Sequence, residues 1–188
     1  ESLVIKPSWE EYEAKEGEHV IKIDPGMAFG TGTHHTTNMC MARLEKILTK
    51  DDVVFDVGTG SGILAIAAAL LGAKEVKAVD IDAVAVRVAQ ENIADNGLTD
   101  RIDVKEGDLL RGTEGKADVI IANIIADIII MLLKDIPGKL EEDGIFLASG
   151  IIKERQAGIE AAAKEVGMQV DHVDEKGGWV VMQMSKVK

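Results

Sequence analysis

An apolar strand that runs into three alternating glycines and out into a helix, VVFDVGTGSGILAIAAALLGA from Val53 to Ala73, constrains this chain more than any other stretch. Glycine has no Cβ, so Gly58, Gly60 and Gly62 can take dihedral angles closed to other residues and let the backbone pass close to a ligand. A strand, a glycine turn and a helix N-terminus form the ligand-holding unit of open α/β sheets, and a cofactor is expected on this turn.

The 188 residues, 46% hydrophobic with three prolines, fit one domain with a sizeable core. No run approaches the roughly 18 uncharged apolar residues of a membrane helix, and residues 1–30 lack the regions of a secretory signal. A soluble, cytoplasmic protein without a membrane partner is expected. The single cysteine, Cys40, excludes an internal disulfide framework and reads as a buried helix residue. A net charge of -12, from 33 acidic and 21 basic residues, disfavours broad electrostatic binding to nucleic acid. Glu1 stands where an initiator methionine would. The chain therefore reads as a single domain over residues 1–188 taken from something longer, with residues 1–35 as lead-in and loop.

After two short extended pieces, SLVIKP and HVIKID, the glycine-rich segment DPGMAFGTGTHHTT (Asp24 to Thr37) reads as a shaped loop. A helix is predicted from about Thr36 to Leu48. Strands are predicted at Val53 to Val57, Val76 to Asp80, Ile102 to Val104, Val119 to Ala122 and Ile145 to Ala148. Helices alternate with most of them, at about Gly62 to Leu71, Ala83 to Asn96, Ile125 to Lys134 and Lys153 to Val166, which is the pattern of a parallel sheet. The helix after the glycine turn is apolar almost all round and should be buried. The tail MQVDHVDEKGGWVVMQMS reads as two strands joined through Glu175 to Gly178, a hairpin that makes one sheet edge antiparallel. The resulting fold class is α/β, a Rossmann-like class I methyltransferase architecture with a seven-stranded, mostly parallel sheet and an antiparallel edge hairpin.

The glycine string departs from the dinucleotide fingerprint G-x-G-x-x-G, because Ile63 occupies the third glycine's place. An acidic residue, Asp56, stands two before the first glycine. That turn suits S-adenosylmethionine, whose amino-acid portion carries an ammonium. Asp56 either serves that ammonium or only ties the turn together, while Gly58 is assigned to cofactor contact. Asp80, at the end of the next strand, can accept both ribose hydroxyls of an adenosine; Asp82, before AVAVRVAQ, is the natural helix cap. Asp108 is as well explained as an exposed loop residue.

Asn123 ends the fourth strand at the carboxyl edge, where open α/β sheets hold ligands. Its carbonyl could orient an amine toward a sulfonium methyl, or its side chain could cap the helix from Ile125 onward. A Thr37 hydroxyl, or a backbone group of the GTGTH turn, could close over the cofactor. Adjacent His34 and His35 cannot easily share one ion and no ligand spacing supports them, so no metal is expected. Trp179 and Phe29 read as core or rim.

In this order, DPGMAFGTGTHHTT, FDVGTGSGILAIAA, VDID and ANIIA resemble the PrmA-type ribosomal protein methyltransferases, over about Ile23 to Gly150. The resemblance implies S-adenosylmethionine as cofactor, held at Thr37, Gly58, Asp80 and Asn123, with Asn123 also lining the transfer site as the catalytic position. It implies lysine side-chain and N-terminal α-amines of protein eleven of the large ribosomal subunit as methyl acceptors. It further implies a separate N-terminal recruitment domain, which these residues do not contain. His35 departs from the family's usual proline. The alternatives are a methyltransferase for another protein, a small molecule or RNA, or a cofactor-binding module that needs a missing domain to act.

Overall fold

The computed structural model describes residues 2–23 and 35–188. The loop Asp24 to His34, with Phe29 and His34 in it, lies outside the described residues. The chain opens with two strands, β1 (Leu3–Lys6) and β2 (His19–Lys22), which pair in parallel as a small separate sheet. Asn96 pins β2 to the body, its side chain accepting from the Lys22 amide at 2.9 Å and donating to the Lys22 carbonyl at 2.8 Å.

The main body alternates strand and helix: α1 (His35–Ile47), β3 (Val53–Val57), α2 (Ile63–Leu70), β4 (Glu75–Asp80), α3 (Ala83–Asp95), β5 (Ile102–Glu106), β6 (Ala117–Asn123), α4 (Ala126–Leu133), α5 (Ile136–Lys139), β7 (Leu140–Ile152), α6 (Gln156–Glu165), β8 (Met168–Lys176) and β9 (Trp179–Lys186). Seven strands form one sheet in the order β5-β4-β3-β6-β7-β9-β8. The first five are parallel, and β9 is inserted antiparallel between β7 and β8.

Side chains alternate across a pleated strand, so a sheet covered on both faces needs apolar residues at successive positions. Val54 and Phe55, Ile120 and Ile121, and Phe146 and Leu147 meet that need, the two members of each pair joining opposite cores. One core lies under α1, α2 and α3, the other under α4, α5 and α6. Every residue of α2 from Ile63 to Ala69 is buried, as its all-round apolar pattern predicts.

Boundaries moved where tertiary contacts overrode local pattern. The last parallel strand extends well beyond Ile145 to Ala148, because its two ends pair with different partners: Leu140 with Ala117, and Ile151 and Ile152 with β9. The helix expected from Lys153 begins as a 3-10 turn, Lys153–Arg155, since the Lys153 amide donates to the Gly178 carbonyl of the hairpin.

Candidate functional site

The strand order reverses between β3 and β6, so the crossovers leave on opposite faces and open a crevice at the carboxyl ends of these strands. A cavity of about 900 Å³ occupies that crevice. Thr37, Gly58, Asp80 and Asn123, the four residues singled out in the sequence, all line it.

The turn is built from its glycines. Gly58, Gly60 and Gly62 have φ of 72°, 56° and 85°, all in the left-handed region that penalises a side chain. A Cβ at Gly58 would lie 2.6 Å from Ile124 Cγ2, and one at Gly62 would lie 3.2 Å from Ala89 Cβ. The close helix packing that a dinucleotide fold assigns to its third glycine therefore falls here to Gly62, between α2 and α3. The Gly58 and Thr59 amides donate to the Val79 carbonyl at 2.9 and 3.0 Å, lashing the turn to β4.

Asp80 completes that lashing. One carboxylate oxygen accepts from the Gly60 amide and the other from the Asp82 amide, each at 2.9 Å. A carboxylate offers about four acceptor sites, so two bonded amides still leave capacity for hydroxyl donors from the cavity. Asp82 caps α3, accepting from the Val84 amide at 2.9 Å.

Asp56 is 1% exposed and lies behind the turn, outside the cavity lining. One carboxylate oxygen accepts from the Thr59 hydroxyl at 2.7 Å, which makes Asp56 a tie for the turn. The other is buried with no hydrogen-bond partner among the described residues. Burial pushes this carboxyl up to about 6, with the Asp80 charge adding to the rise while the Thr59 hydroxyl and the Ala65 amide oppose it.

Asn123 ends β6, and its side-chain amide donates to Thr37 Oγ1 at 3.3 Å. This bond fixes the amide's orientation and leaves Oδ1 as its acceptor. The helix that follows is capped at Ile125 without any side-chain bond, so Asn123 is not its cap. Gly150, at φ 79°, lets β7 approach: a Cβ there would lie 2.8 Å from the Ile124 carbonyl oxygen and 2.9 Å from Asn123 Oδ1.

Helix α1 delivers Thr37 to this wall. Arg43 grips Asp174 of β8 through Nε and Nη2, both at 3.0 Å to Oδ2, and His35 stands where a Cβ at Gly177 would reach its ring at 2.9 Å. Within α1 the Thr36 carbonyl accepts from the Ser149 hydroxyl at 3.2 Å.

Several lining residues were not singled out in the sequence. Ile81, 72% exposed, follows Asp80 at the mouth, and its legible signal is an apolar residue between two acids at a strand end. Ile124 and Gly150 carry no such signal, since only the pairing of β6 with β7 brings them together. Asp108 lines the cavity while paired with Arg111 at 2.8 Å, and Trp179 forms part of the wall, half-buried.

Comparisons with known proteins agree with this geometry. The family model described as "Ribosomal protein L11 methyltransferase (PrmA)" matches residues 1–187. A ribosomal protein L11 methyltransferase from Alkaliphilus oremlandii is 51% identical over 186 residues, 99% of this chain but 59% of that protein. The chain thus spans less than two thirds of the length of the curated relatives it matches. The crystal structure of ribosomal protein L11 methylase from Lactobacillus delbrueckii subsp. bulgaricus superposes with a TM-score of 0.94 at 40% identity, covering 100% of this chain and 96% of that one. The structure of precorrin-6y C5,15-methyltransferase from Geobacter metallireducens shares the fold alone, at 14% identity and a TM-score of 0.67 over 80% of this chain and 86% of that one. Fold, motif order and family match converge, and the chain belongs to the ribosomal protein L11 methyltransferase family.

Proposed function

We propose that this chain is the catalytic part of an S-adenosylmethionine-dependent protein N-methyltransferase whose acceptors are amines of a large-subunit ribosomal protein. The observation that carries this reading is the convergence of Gly58, Asp80, Thr37 and Asn123 on one cavity at the topological switch point.

The residues present fit the cofactor. Gly58 lines the cavity without a side chain of its own, and Asp80 keeps acceptor capacity for ribose hydroxyls beyond the two amides it holds. Ile81, exposed beside Asp80, offers an apolar surface for a purine. Asp56 supports this cradle through Thr59 without lining the cavity.

Held by Gly58, Asp80 and Thr37, S-adenosylmethionine would supply an electrophilic methyl group to an amine lone pair, its sulfur being left as a thioether with the electron pair of the S–C bond and the amine's proton going to water. The chain's work is alignment and desolvation. Asn123, held by Thr37, presents Oδ1 as an acceptor for an amine N–H, which turns the nitrogen lone pair toward the cofactor's side of the cavity. The apolar lining from Ile124 and Ile128 disfavours an ammonium and so assists loss of its proton. Among the described residues no helix is long and apolar enough to cross a membrane, in keeping with action in the cytoplasm, where ribosomal proteins are made.

The test is incubation with isotopically labelled S-adenosylmethionine and the ribosomal protein, read by mass spectrometry. Methylated lysine or α-amine is expected. Label appearing only in RNA or metabolites would remove the protein substrate, and cofactor binding without turnover would reduce the chain to a binding module.

A further inference from the structure

Helix α4 is apolar on two sides but buried on only one. Ala126, Ile129, Leu132 and Leu133 enter the core, whereas Ile125, at its N-cap, and Ile128 and Met131 stand three residues apart and line the mouth of the cavity. Ile125 is 65% and Met131 51% exposed. Residues three apart on a helix form one stripe, and an apolar stripe left in water beside a site marks an interaction surface. This one starts two residues after Asn123.

We propose that this outward face of α4 is a docking ledge for the polypeptide around the target amine, taking an apolar side chain next to a basic residue. The proposal rests on the amine-transfer reading and adds the class of segment that the site accepts. Two observations select that occupant. The ledge continues into the cavity wall that carries Asn123, so a segment lying on it delivers a neighbouring side chain to the transfer position. Among the described residues the cavity is lined by two carboxylates, Asp80 and Asp108, and by no cationic side chain, on a chain of net charge -12. A basic segment is drawn in by that field, whereas a nucleic acid is repelled.

The test uses the 188-residue chain saturated with S-adenosylhomocysteine and two short fluorescein-labelled peptides, one with a single lysine flanked by leucines and one with the lysine flanked by serines. Fluorescence anisotropy should show the leucine peptide binding roughly 10-fold tighter. Ile125→Ser and Met131→Ser should each weaken the leucine peptide about 5-fold, leave the serine peptide unchanged, and leave the affinity for S-adenosylhomocysteine unchanged by calorimetry. Both side chains are more than half exposed, so folding is expected to survive, and urea unfolding checks it. Equal binding of the two peptides, no binding of either, or leucine-peptide binding insensitive to both variants would overturn the proposal. A loss of S-adenosylhomocysteine affinity would make this face a cofactor wall, and wild-type self-association abolished by the variants would make it a contact between copies; either result overturns it too. Mass spectrometry of the same peptides after exchange into S-adenosylmethionine separates the two readings. A leucine peptide that docks on the ledge but gains no methyl group sinks amine transfer alone, and a methylated peptide whose binding ignores the ledge sinks the docking inference alone.

Discussion

Replacing Asp56 by asparagine should stabilise the folded chain by about 1 kcal/mol at pH 8 and destabilise it by about 2 kcal/mol at pH 4. The carboxyl is buried behind the glycine turn and pushed from an ordinary 3.8 up to about 6, chiefly by desolvation. A carboxyl whose native pKa exceeds its unfolded one keeps its proton longer in the folded state. Its contribution is therefore fully present below about pH 4 and is lost as the pH rises through 6. Each pH unit between those values is worth about 1.4 kcal/mol, so ionising Asp56 in place costs about 3 kcal/mol by pH 8. Asparagine avoids that cost, and its carbonyl can still accept from the Thr59 hydroxyl. Its NH2 group, however, takes the place of the oxygen that lacks a described partner, and an unsatisfied buried donor costs about 1–3 kcal/mol. A net gain of about 1 kcal/mol at pH 8 is the expected balance. Urea unfolding of wild type and Asp56→Asn at pH 4, 6 and 8 measures it, and the difference between the two proteins cancels the titration of the surface carboxylates. A stability difference between variant and wild type that fails to shift toward the variant from pH 4 to pH 8 would refute the argument, because it would mean that the fold bears Asp56 ionised at no cost.

Removing the Asp80 carboxylate with Asp80→Ala should weaken S-adenosylhomocysteine binding by about 1–3 kcal/mol in calorimetry, as for lost charge-assisted hydrogen bonds; unchanged affinity would move the ribose contact elsewhere. Asn123→Ala should lower kcat more than it weakens cofactor binding, and the opposite split would make Asn123 a binding residue only. Gly58→Ala forces φ 72° on a residue with a Cβ and sets that atom 2.6 Å from Ile124 Cγ2, so thermal unfolding should show a loss of about 1–2 kcal/mol together with weaker cofactor binding; wild-type behaviour in both would show that the turn relaxes freely.

Much of the fold was legible because its signals are local. The apolar run of α2, the alternation of strands with helices, the Asp82 cap and the Gly177–Gly178 hairpin each follow from residues within a few positions of one another. The antiparallel edge was legible for the same reason, a tight turn being unable to return a strand in parallel. Gly58, Asp80 and Asn123 were legible as residues at the carboxyl ends of predicted strands, which is where this sheet type binds ligands. The ends of β7 were not, because Leu140 and Ile152 pair with different strands and neither partner is near in sequence.

By itself the sequence determined the class of fold, the glycine turn and the family resemblance, since each depends on short-range periodicity, on a φ that favours glycine, or on ordered motifs. The tertiary structure decided what each polar group at the site does. Asp56 and Asp80 both stand at strand ends, yet one ties the turn from a buried position while the other faces the cavity, a difference set by what packs over each carboxylate. Asn123 is freed from capping α4 and is instead held by Thr37, 86 residues away in sequence. The docking of α1 against β7, β8 and β9 brings that hydroxyl to the wall, and no local pattern encodes it because the Ser149 to Thr36 bond spans 113 residues and the Arg43 to Asp174 contact 131.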